Sequence, residues 1–484
     1  TDDLPALDTI HTTGAGAGLP HAAAHRSRTE ATRSHTSTRN ARFAPPWHIP
    51  SLTALPGIAS TVTPTTTCFN TSTKNAAAPG ERVAPGEIPT LRYRSTLRDK
   101  PADRRAAIIG GGIAGCSTAL ALARRGWQVT IYDQAGRVAS GASGNPQGVI
   151  YPRLSPEASF LSRFNLAALL YAARFYSPFW DDPNPSRTSA RASDKHPVDP
   201  AQGSAGARCG IIVLPEKPSD AEVFATIANN FRGGLQRFTN RQNAHCAGPF
   251  VSLLNRAEIS EVCGLQLAAT SALYFPSLGW IAPQRVCEQL VKHTNISIKE
   301  KRVNGLTWDS SCQQWSLNTG DQLSDTSAVV VIAASNGSQN FTQTRHLPLK
   351  AIRGQISSVP VTPASQHLRT VICGAGYLAP ASSGSHTLGA TYNLDTTTPD
   401  VRDVDHRRNL DQLLLTDPAL PNFLDNPSPV ILDGRASLRC TTPDYLPLIG
   451  PAANFTAFTE DFALLRTNAR ADIPRCGSYW PGLY

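Results

Sequence analysis

The stretch AAIIGGGIAGCSTALALARRGWQVTIYD, residues Ala106–Asp133, decides the fold of this chain. An apolar strand leads into Gly110, Gly112 and Gly115 at G-x-G-x-x-G spacing, and a helix and a second strand ending on Asp133 follow. The first glycine permits a tight turn, the second a close approach of a diphosphate, and the third close helix–strand packing. The helix N-terminus attracts phosphate, and the terminal acid can accept ribose hydroxyls. The unit therefore predicts a βαβ fold that binds an adenine dinucleotide.

Length and composition predict a sizeable folded core. The 484 residues are 40% hydrophobic, and the net charge of +9 allows a polyanionic partner without demonstrating one. The ten cysteines show no C-x-x-C pair and no zinc-ligand spacing, which predicts no metal site and the reduced thiols of a cytoplasmic protein. No apolar run approaches the roughly 18 residues of a membrane span, and the N-terminus lacks a secretory-signal pattern. Because the chain lacks methionine and begins at Thr1, we expect it to be a fragment.

A second motif, SGASGNPQGVIY, follows shortly after the first and spans Ser140–Tyr151. Its small residues let the backbone run close to a flat ring system with N–H groups facing it. Placed just after a dinucleotide motif, such a segment favours a flavin, and FAD is the expected cofactor. An ordinary surface loop is the alternative interpretation.

Two further motifs each carry an arginine. One is Arg353-Gly354-Gln355 within LKAIRGQISSVP, and the other begins at Arg439 in RCTTPDYLPLIG. A guanidinium at a strand end beside a flavin suits two-point binding of a substrate carboxylate. A structural ion pair is the competing interpretation.

The motifs together resemble a known family. The segments that carry the resemblance occur in this order: GGGIAGCSTALALARRGWQVTIYD, SGASGNPQGVIYPRLSP, SLGWIAPQRVC, LPLKAIRGQIS, CGAGYLAP, LGATYN, DHRRNL and LRCTTPDYLPLIG. They look like the FAD-dependent oxidoreductase half of the bifunctional enzymes that make 5-methylaminomethyl-2-thiouridine in tRNA, the MnmC family, within the superfamily of D-amino-acid and glycine oxidases. The resemblance covers roughly Arg104 to Gly450 and resumes weakly at Pro481–Tyr484.

The resemblance implies both a reaction and a set of site residues. Enzymes of this family oxidise the carboxymethylaminomethyl group of the tRNA wobble uridine, releasing glyoxylate and leaving an aminomethyl group. Arg439 would hold the carboxylate as the catalytic residue, with Tyr377 and Tyr392 beside the substrate. The cofactor-binding residues would be Gly110, Gly112, Gly115 and Asp133 at the ADP half of FAD, and Ala142, Ser143, Asn145, Gln147, Gly148 and Gln355 near the isoalloxazine.

The expected fold class is α/β, with an FAD-binding, doubly wound parallel sheet, an inserted and largely antiparallel substrate domain, and a disordered N-terminal arm. Residues 1–103 form that low-complexity arm, and residues 181–207 form a disordered insertion. The FAD-binding domain comprises residues 104–180, 281–347 and 436–484. The substrate domain comprises residues 208–280 and 348–435.

Two departures from the family pattern lead to further expectations. The residues upstream of Ala44-Pro45-Pro46-Trp47 are too few for a methyltransferase domain, so we expect no methyl transfer from this chain. Complete family members continue past PGLY, so we expect the FAD-binding domain to be C-terminally truncated. Two alternatives to tRNA oxidation remain open: a small-molecule amine oxidase of the glycine or sarcosine type, and an inactive flavin-binding fragment. The sequence leaves the oligomeric state open.

Overall fold

The computed structural model describes residues 103–157, 159–180, 205–231, 249–320, 325–424, 430–469, 471 and 478–484. The N-terminal arm, apart from residue 103, lies outside these ranges, as does residues 181–204 of the expected insertion. The end of that insertion is described, and there Gly206–Ala207 forms a short strand rather than the disordered segment that the sequence predicted.

The described residues form an α/β structure whose elements are numbered here in chain order. The helices are α1 (Ile113–Ala123), α2 (Phe160–Phe175), α3 (Asp220–Phe231), α4 (Arg256–Cys263), α5 (Pro283–Leu290), α6 (Asp403–Thr416) and α7 (Phe455–Asp461). The strands are β1 (Arg105–Ile109), β2 (Gln128–Asp133), β3 (Gly148–Val149), β4 (Gly206–Ala207), β5 (Ile211–Val213), β6 (Ser252–Asn255), β7 (Ser271–Phe275), β8 (Trp280–Ile281), β9 (Ile296–Glu300), β10 (Gly305–Asp309), β11 (Gln314–Asn318), β12 (Asp325–Ser327), β13 (Val329–Ile332), β14 (Lys350–Pro360), β15 (Val371–Cys373), β16 (Tyr377–Leu378), β17 (Ser385–Gly389) and β18 (Asp433–Thr441).

The predicted nucleotide-binding sheet is parallel and has the strand order β13-β1-β2-β9. Four of the five residues of β1 are buried, as expected of a strand covered on both faces. Helices α1 and α5 pack together in the same hydrophobic cluster as β1 and β2. The backbone of Gly482–Tyr484 extends this sheet beside β13, where the N–H of Val330 donates to the carbonyl of Gly482 at 2.9 Å. The predicted parallel sheet is therefore confirmed.

A larger, mixed sheet of eight strands has the order β18-β14-β17-β16-β15-β5-β7-β6 and is antiparallel except between β15 and β5. Because side chains alternate along a strand, β14 places Arg353 and Gln355 on one face and Gly354 on the other. Helix α6 covers the face that carries Gln355. We call this face the α6 face and the opposite one the Gly354 face.

Strand β18 corrects the expected domain boundary. Its residues 436–441, which the sequence assigned to the FAD-binding domain, pair with β14 in the mixed sheet. The two strands form nine antiparallel residue pairs, from Lys350↔Thr441 to Ser358↔Asp433. The boundary placed between residues 435 and 436 thus falls inside a continuous strand. Two smaller sheets, β3-β8-β4 and β10-β11-β12, complete the described architecture.

Candidate functional site

The glycine turn after β1 has the geometry that its spacing predicts. Gly110 has a φ of +108°, and a Cβ there would lie 2.5 Å from the carbonyl oxygen of Ala333. A Cβ on Gly115 would overlap the carbonyl oxygen of Gly110. Gly112 differs, because a Cβ there would meet only the Ser143 hydroxyl, at 3.3 Å. The first and third glycines are required by the fold, whereas the second leaves space at the helix N-terminus.

The space at Gly112 borders the N-terminus of α1. Gly112 is the N-cap residue and provides no side-chain cap, so the first N–H groups of α1 depend on other partners. One partner is Ser143, whose hydroxyl accepts from the N–H of Ile113 at 3.0 Å. The helix N-terminus carries a partial positive charge. This pocket can therefore bind a diphosphate, and Ser143 lies at its edge; the predicted contact of Ser143 with the isoalloxazine stays a prediction.

Asp133 lies at the end of β2 and faces the glycine turn. Its Oδ2 accepts from the N–H of Gly111 at 2.9 Å, and its Oδ1 accepts from the N–H of Ala135 at 3.0 Å. These bonds fix the carboxylate against the turn. Each carboxylate oxygen can accept more than one hydrogen bond, so both retain the capacity to accept ribose hydroxyls. That role of Asp133 stays a prediction.

The segment after the turn includes a buried acceptor without a partner. Gln147 is 1% exposed, and its Nε2 donates to the carbonyl of Pro380 at 3.0 Å, whereas its Oε1 has no hydrogen-bond partner in the described structure. Gly148 follows in β3, and Ala142 lies in a short 3-10 turn. A buried unpaired oxygen is costly unless a ligand donates to it. This segment therefore fits a flavin, whose ring N–H is such a donor.

Sequence reasoning missed Arg435, which contacts the same segment from β18. Its Nη1 donates to Asn145 Oδ1 at 3.0 Å, and its Nη2 donates to the carbonyl oxygens of Ser140, at 3.1 Å, and Gly141. A signal was present, because Arg435 precedes Arg439 by four residues in one strand and so shares its face. Asn145 is thus held by an arginine of the mixed sheet.

Arg439 lies on the Gly354 face of β18 and is exposed to solvent. Its guanidinium rests on Gly354, where an added Cβ would lie 2.5 Å from Cζ. Its Nη1 donates to the carbonyl of Thr391 at 2.9 Å, and within the described ranges no carboxylate lies at ion-pair distance. Desolvation against the strand lowers the pKa of Arg439, and Tyr377 and Tyr392 nearby raise it. Arg439 is therefore an accessible cation without an acidic partner.

The two tyrosines differ in exposure. Tyr377 lies in β16 and packs partly against the core of the Gly354 face. Burial raises the pKa of its hydroxyl, the charge of Arg439 lowers this pKa, and Cys373 raises it. The net shift is upward, so the hydroxyl keeps its proton at neutral pH. Tyr392 follows Thr391, the residue that Arg439 contacts, and is 53% exposed. The structure thus brings both predicted tyrosines to Arg439.

Arg353 and Gln355 lie on the α6 face, away from Arg439. The Nη1 of Arg353 donates to Asp405 Oδ2 at 2.5 Å, and both side chains are buried. The Oε1 of Gln355 accepts from Arg353 Nη2 and from the N–H of Arg402, and its Nε2 donates to the carbonyl of Arg402. We therefore revise Gln355 from a candidate flavin contact to a residue that fixes β14 to α6. Arg353 forms the structural ion pair, and Arg439 remains the candidate carboxylate ligand.

Within the described ranges, no cluster of three or more His, Cys, Asp or Glu side chains is arranged to hold a metal ion. Nor is any helix in those ranges long and apolar enough to cross a membrane.

Comparison with known proteins identifies the family of this chain. Residues 105–463 match the model of the family described as FAD dependent oxidoreductase. The chain belongs to this family, whose members use FAD to oxidise C–N bonds.

Several curated relatives within this family share one name. The chain is 38% identical over 385 residues to the tRNA 5-methylaminomethyl-2-thiouridine biosynthesis bifunctional protein MnmC of Chromobacterium violaceum, covering 79% of this chain and 53% of that protein. It is 36% identical over 398 residues to the protein of the same name from Methylobacillus flagellatus, covering 81% and 54%. The chain thus spans about half the length of the curated relatives it matches.

The solved structures show the same fold at lower identity. Glycine oxidase from Geobacillus kaustophilus is 20% identical, with a TM-score of 0.53, and the match covers 72% of this chain and 87% of that one. L-proline dehydrogenase from P. horikoshii is 16% identical, with a TM-score of 0.54, and the match covers 78% and 96%. At this identity the likeness concerns the fold alone.

Proposed function

We propose that this chain catalyses FAD-dependent oxidation of the carboxymethylaminomethyl group on the wobble uridine of tRNA, giving aminomethyluridine and glyoxylate. The curated relatives named for tRNA 5-methylaminomethyl-2-thiouridine biosynthesis support the substrate class. A tRNA substrate implies a cytoplasmic location. The observation that carries the proposal is the accessible guanidinium of Arg439, which rests on Gly354 without a carboxylate partner in the described structure.

The substrate supplies the anion that Arg439 lacks. The carboxymethylaminomethyl group ends in a carboxylate, and the planar guanidinium can bind both of its oxygens. The protonated hydroxyl of Tyr377 can donate a further hydrogen bond on the same face. Fixing the carboxylate at two points also fixes the neighbouring CH₂ group, from which the hydride leaves, and such positioning is a main contribution of a protein to this reaction.

The reaction needs little acid–base chemistry from side chains. Loss of hydride from the CH₂ group of the neutral amine gives a protonated imine, and water then adds to its carbon and releases the protonated amine and glyoxylate. Bound FAD supplies the two-electron acceptor. When the substrate nitrogen is neutral, its lone pair stabilises the developing C=N bond without a protein base. The chain's residues therefore bind and orient the substrate rather than transfer a proton.

Tyr392 favours an RNA substrate over a small one. It adjoins Thr391, whose carbonyl accepts from Arg439, and exposes 53% of its surface. Proteins that recognise single-stranded RNA stack unpaired bases on exposed aromatic side chains. The uracil ring of the modified uridine would be joined to the carboxylate at Arg439 through the carboxymethylaminomethyl substituent. We therefore assign Tyr392 to stacking on the wobble base or its neighbour.

The test is to incubate FAD-loaded protein with tRNA that carries carboxymethylaminomethyluridine. Nucleoside mass spectrometry should show conversion to aminomethyluridine, with one glyoxylate per converted nucleoside. Arg439→Leu should reduce kcat/KM about tenfold to a hundredfold, since a charge-assisted hydrogen bond contributes about 1.5–3 kcal/mol. Arg439→Lys should also be impaired, because an ammonium cannot reproduce the two-point contact. Turnover of glycine or sarcosine without nucleoside conversion would instead favour the small-molecule oxidase.

A further inference from the structure

Arg435 contacts the loop of residues 140–145, which follows β2, and this loop is separate from the carboxylate site at Arg439. We propose that Arg435 is a positioning residue for FAD, which holds residues 140–145 against the N-terminus of α1 and so shapes the diphosphate pocket. This inference concerns cofactor binding and holds whatever the substrate is.

The contacts of Arg435 span the whole loop. The guanidinium donates to the carbonyl oxygens of Ser140 and Gly141 at its start and to the side chain of Asn145 at its end. All three acceptors belong to this loop, and all three hydrogen bonds come from one side chain of the mixed sheet. Removing the side chain would therefore release both ends of the loop together.

The loop and the guanidinium are packed without room for a side chain between them. A Cβ on Gly144 would lie 2.5 Å from Arg435 Nη2 and 2.6 Å from the carbonyl oxygen of Ala139. Glycine at this position lets the loop lie directly on the guanidinium. The contact is thus steric as well as polar.

The opposite side of the loop rests on the dinucleotide turn. Ser143 accepts from the N–H of Ile113, and the N–H of Ala139 donates to the carbonyl of Gly111 at 2.8 Å. The loop therefore lies between the α1 N-terminus and Arg435. Its position on one side depends on support from the other, which is why Arg435 affects a pocket whose turn it does not contact.

The charge of Arg435 also favours an anion in this region. Its hydrogen-bond partners are neutral oxygens, and within the described ranges no carboxylate lies at ion-pair distance. Burial, and then the positive charge of nearby Arg137, lower the pKa of Arg435. A half-buried cation without counter-charge, close to a helix N-terminus, is stabilised when a diphosphate binds there.

The experiment measures binding to the apoprotein of two probes, FAD and ADP, because ADP reports on the diphosphate pocket without the flavin ring. Arg435→Ala should raise the Kd of both about tenfold or more, as expected for the loss of bonds to a charged group. The Kd values of Arg435→Lys should lie between those of the wild type and of Arg435→Ala, because lysine keeps the charge but lacks the planar guanidinium that makes several hydrogen bonds at once. The matched control is Arg256→Ala on α4, which removes an arginine whose Nη2 also donates to a backbone carbonyl, that of Ala268, and should leave both Kd values unchanged. Hydrogen exchange of residues 140–145 should rise in Arg435→Ala alone.

Unchanged FAD affinity in folded Arg435→Ala protein would overturn the proposal. So would weakened FAD binding with unchanged ADP binding, because the residue would then act at the flavin end. Should Arg435→Ala fail to fold, Asn145→Ala provides the second test, since it removes one of the three contacts and leaves the guanidinium in place. Weaker ADP binding in that variant would support the proposal, and unchanged ADP binding would refute it.

Discussion

Gly354→Ala separates the position of the Arg439 guanidinium from its charge. The added Cβ would lie 2.5 Å from Cζ and 2.7 Å from Nη2, whereas unbonded heavy atoms pack at about 3.5 Å. The guanidinium must therefore move by about 1 Å, and a displacement of that size costs up to about a hundredfold in rate when it misaligns a reactant. The bond from Nη1 to the carbonyl of Thr391 would lengthen as well. Because a flexible side-chain end yields more easily than backbone, the fold should tolerate the change.

The assay is steady-state kinetics on modified tRNA, with a small carboxylate titrated against flavin absorbance as a second measure. Gly354→Ala should raise KM and the Kd of the carboxylate together, each by about tenfold, as expected for a weakened charge-assisted contact. The Kd of FAD should stay unchanged. Gly305→Ala is the control, since a Cβ there meets only the Cβ of Asn318 at 4.0 Å. Wild-type KM and carboxylate affinity in Gly354→Ala would show that Arg439 does not bind the carboxylate.

Three further predictions test other parts of the account. Gly112→Val should give folded protein with at least about tenfold weaker FAD binding, because the added side chain fills space at the α1 N-terminus. Gly305→Val is the control, and full flavin occupancy in Gly112→Val protein would contradict diphosphate binding at this pocket. Arg353→Met should lower the free energy of unfolding by about 3 kcal/mol in urea titrations, since it removes the buried partner of Asp405 Oδ2 and leaves the exposed Arg408, 3.3 Å from Oδ1, as the counter-charge. Burial raises the pKa of Asp405, but hydrogen bonds from Asn393 and Arg353 together lower it by more, so the net pKa lies below its usual value. The ionised Asp405 should therefore stabilise the fold above about pH 4, and this contribution should be lost as the pH falls further. A free energy of unfolding that does not change with pH in this range would refute the argument. Tyr392→Ala should lower kcat/KM about tenfold on RNA while Tyr392→Phe retains it, and equal loss with a free N-substituted glycine would argue against stacking.

Local motifs predicted the nucleotide-binding part well, because each of its demands is met by neighbouring residues. The strand, glycine turn, helix and terminal acid occur where the sequence placed them. The helix begins at Ile113, directly after its N-cap Gly112. The second strand is Gln128–Asp133 and ends on the predicted acid.

The arginine motifs show where sequence reasoning fails. Arg353 and Arg439 follow similar patterns, yet Arg353 forms a buried ion pair, whereas Arg439 has no acidic partner among the described residues. The difference depends on which face of the sheet each side chain occupies, and on Asp405, which is 52 residues from Arg353. Strand pairing decides the face, and a single sequence does not report pairing between distant strands. The same reason explains the revised role of Gln355.

The proposed reaction depends on binding of the carboxylate of a modified wobble uridine by the guanidinium of Arg439. The most direct measurement compares kcat/KM for an anticodon stem-loop carrying carboxymethylaminomethyluridine with that for N-methylglycine, in wild-type and Arg439→Leu protein. Wild-type protein should show a higher kcat/KM for the stem-loop and release one glyoxylate per nucleoside converted, and Arg439→Leu should lose both activities. Efficient oxidation of N-methylglycine with no conversion of the stem-loop, or full stem-loop conversion by Arg439→Leu, would contradict the proposal.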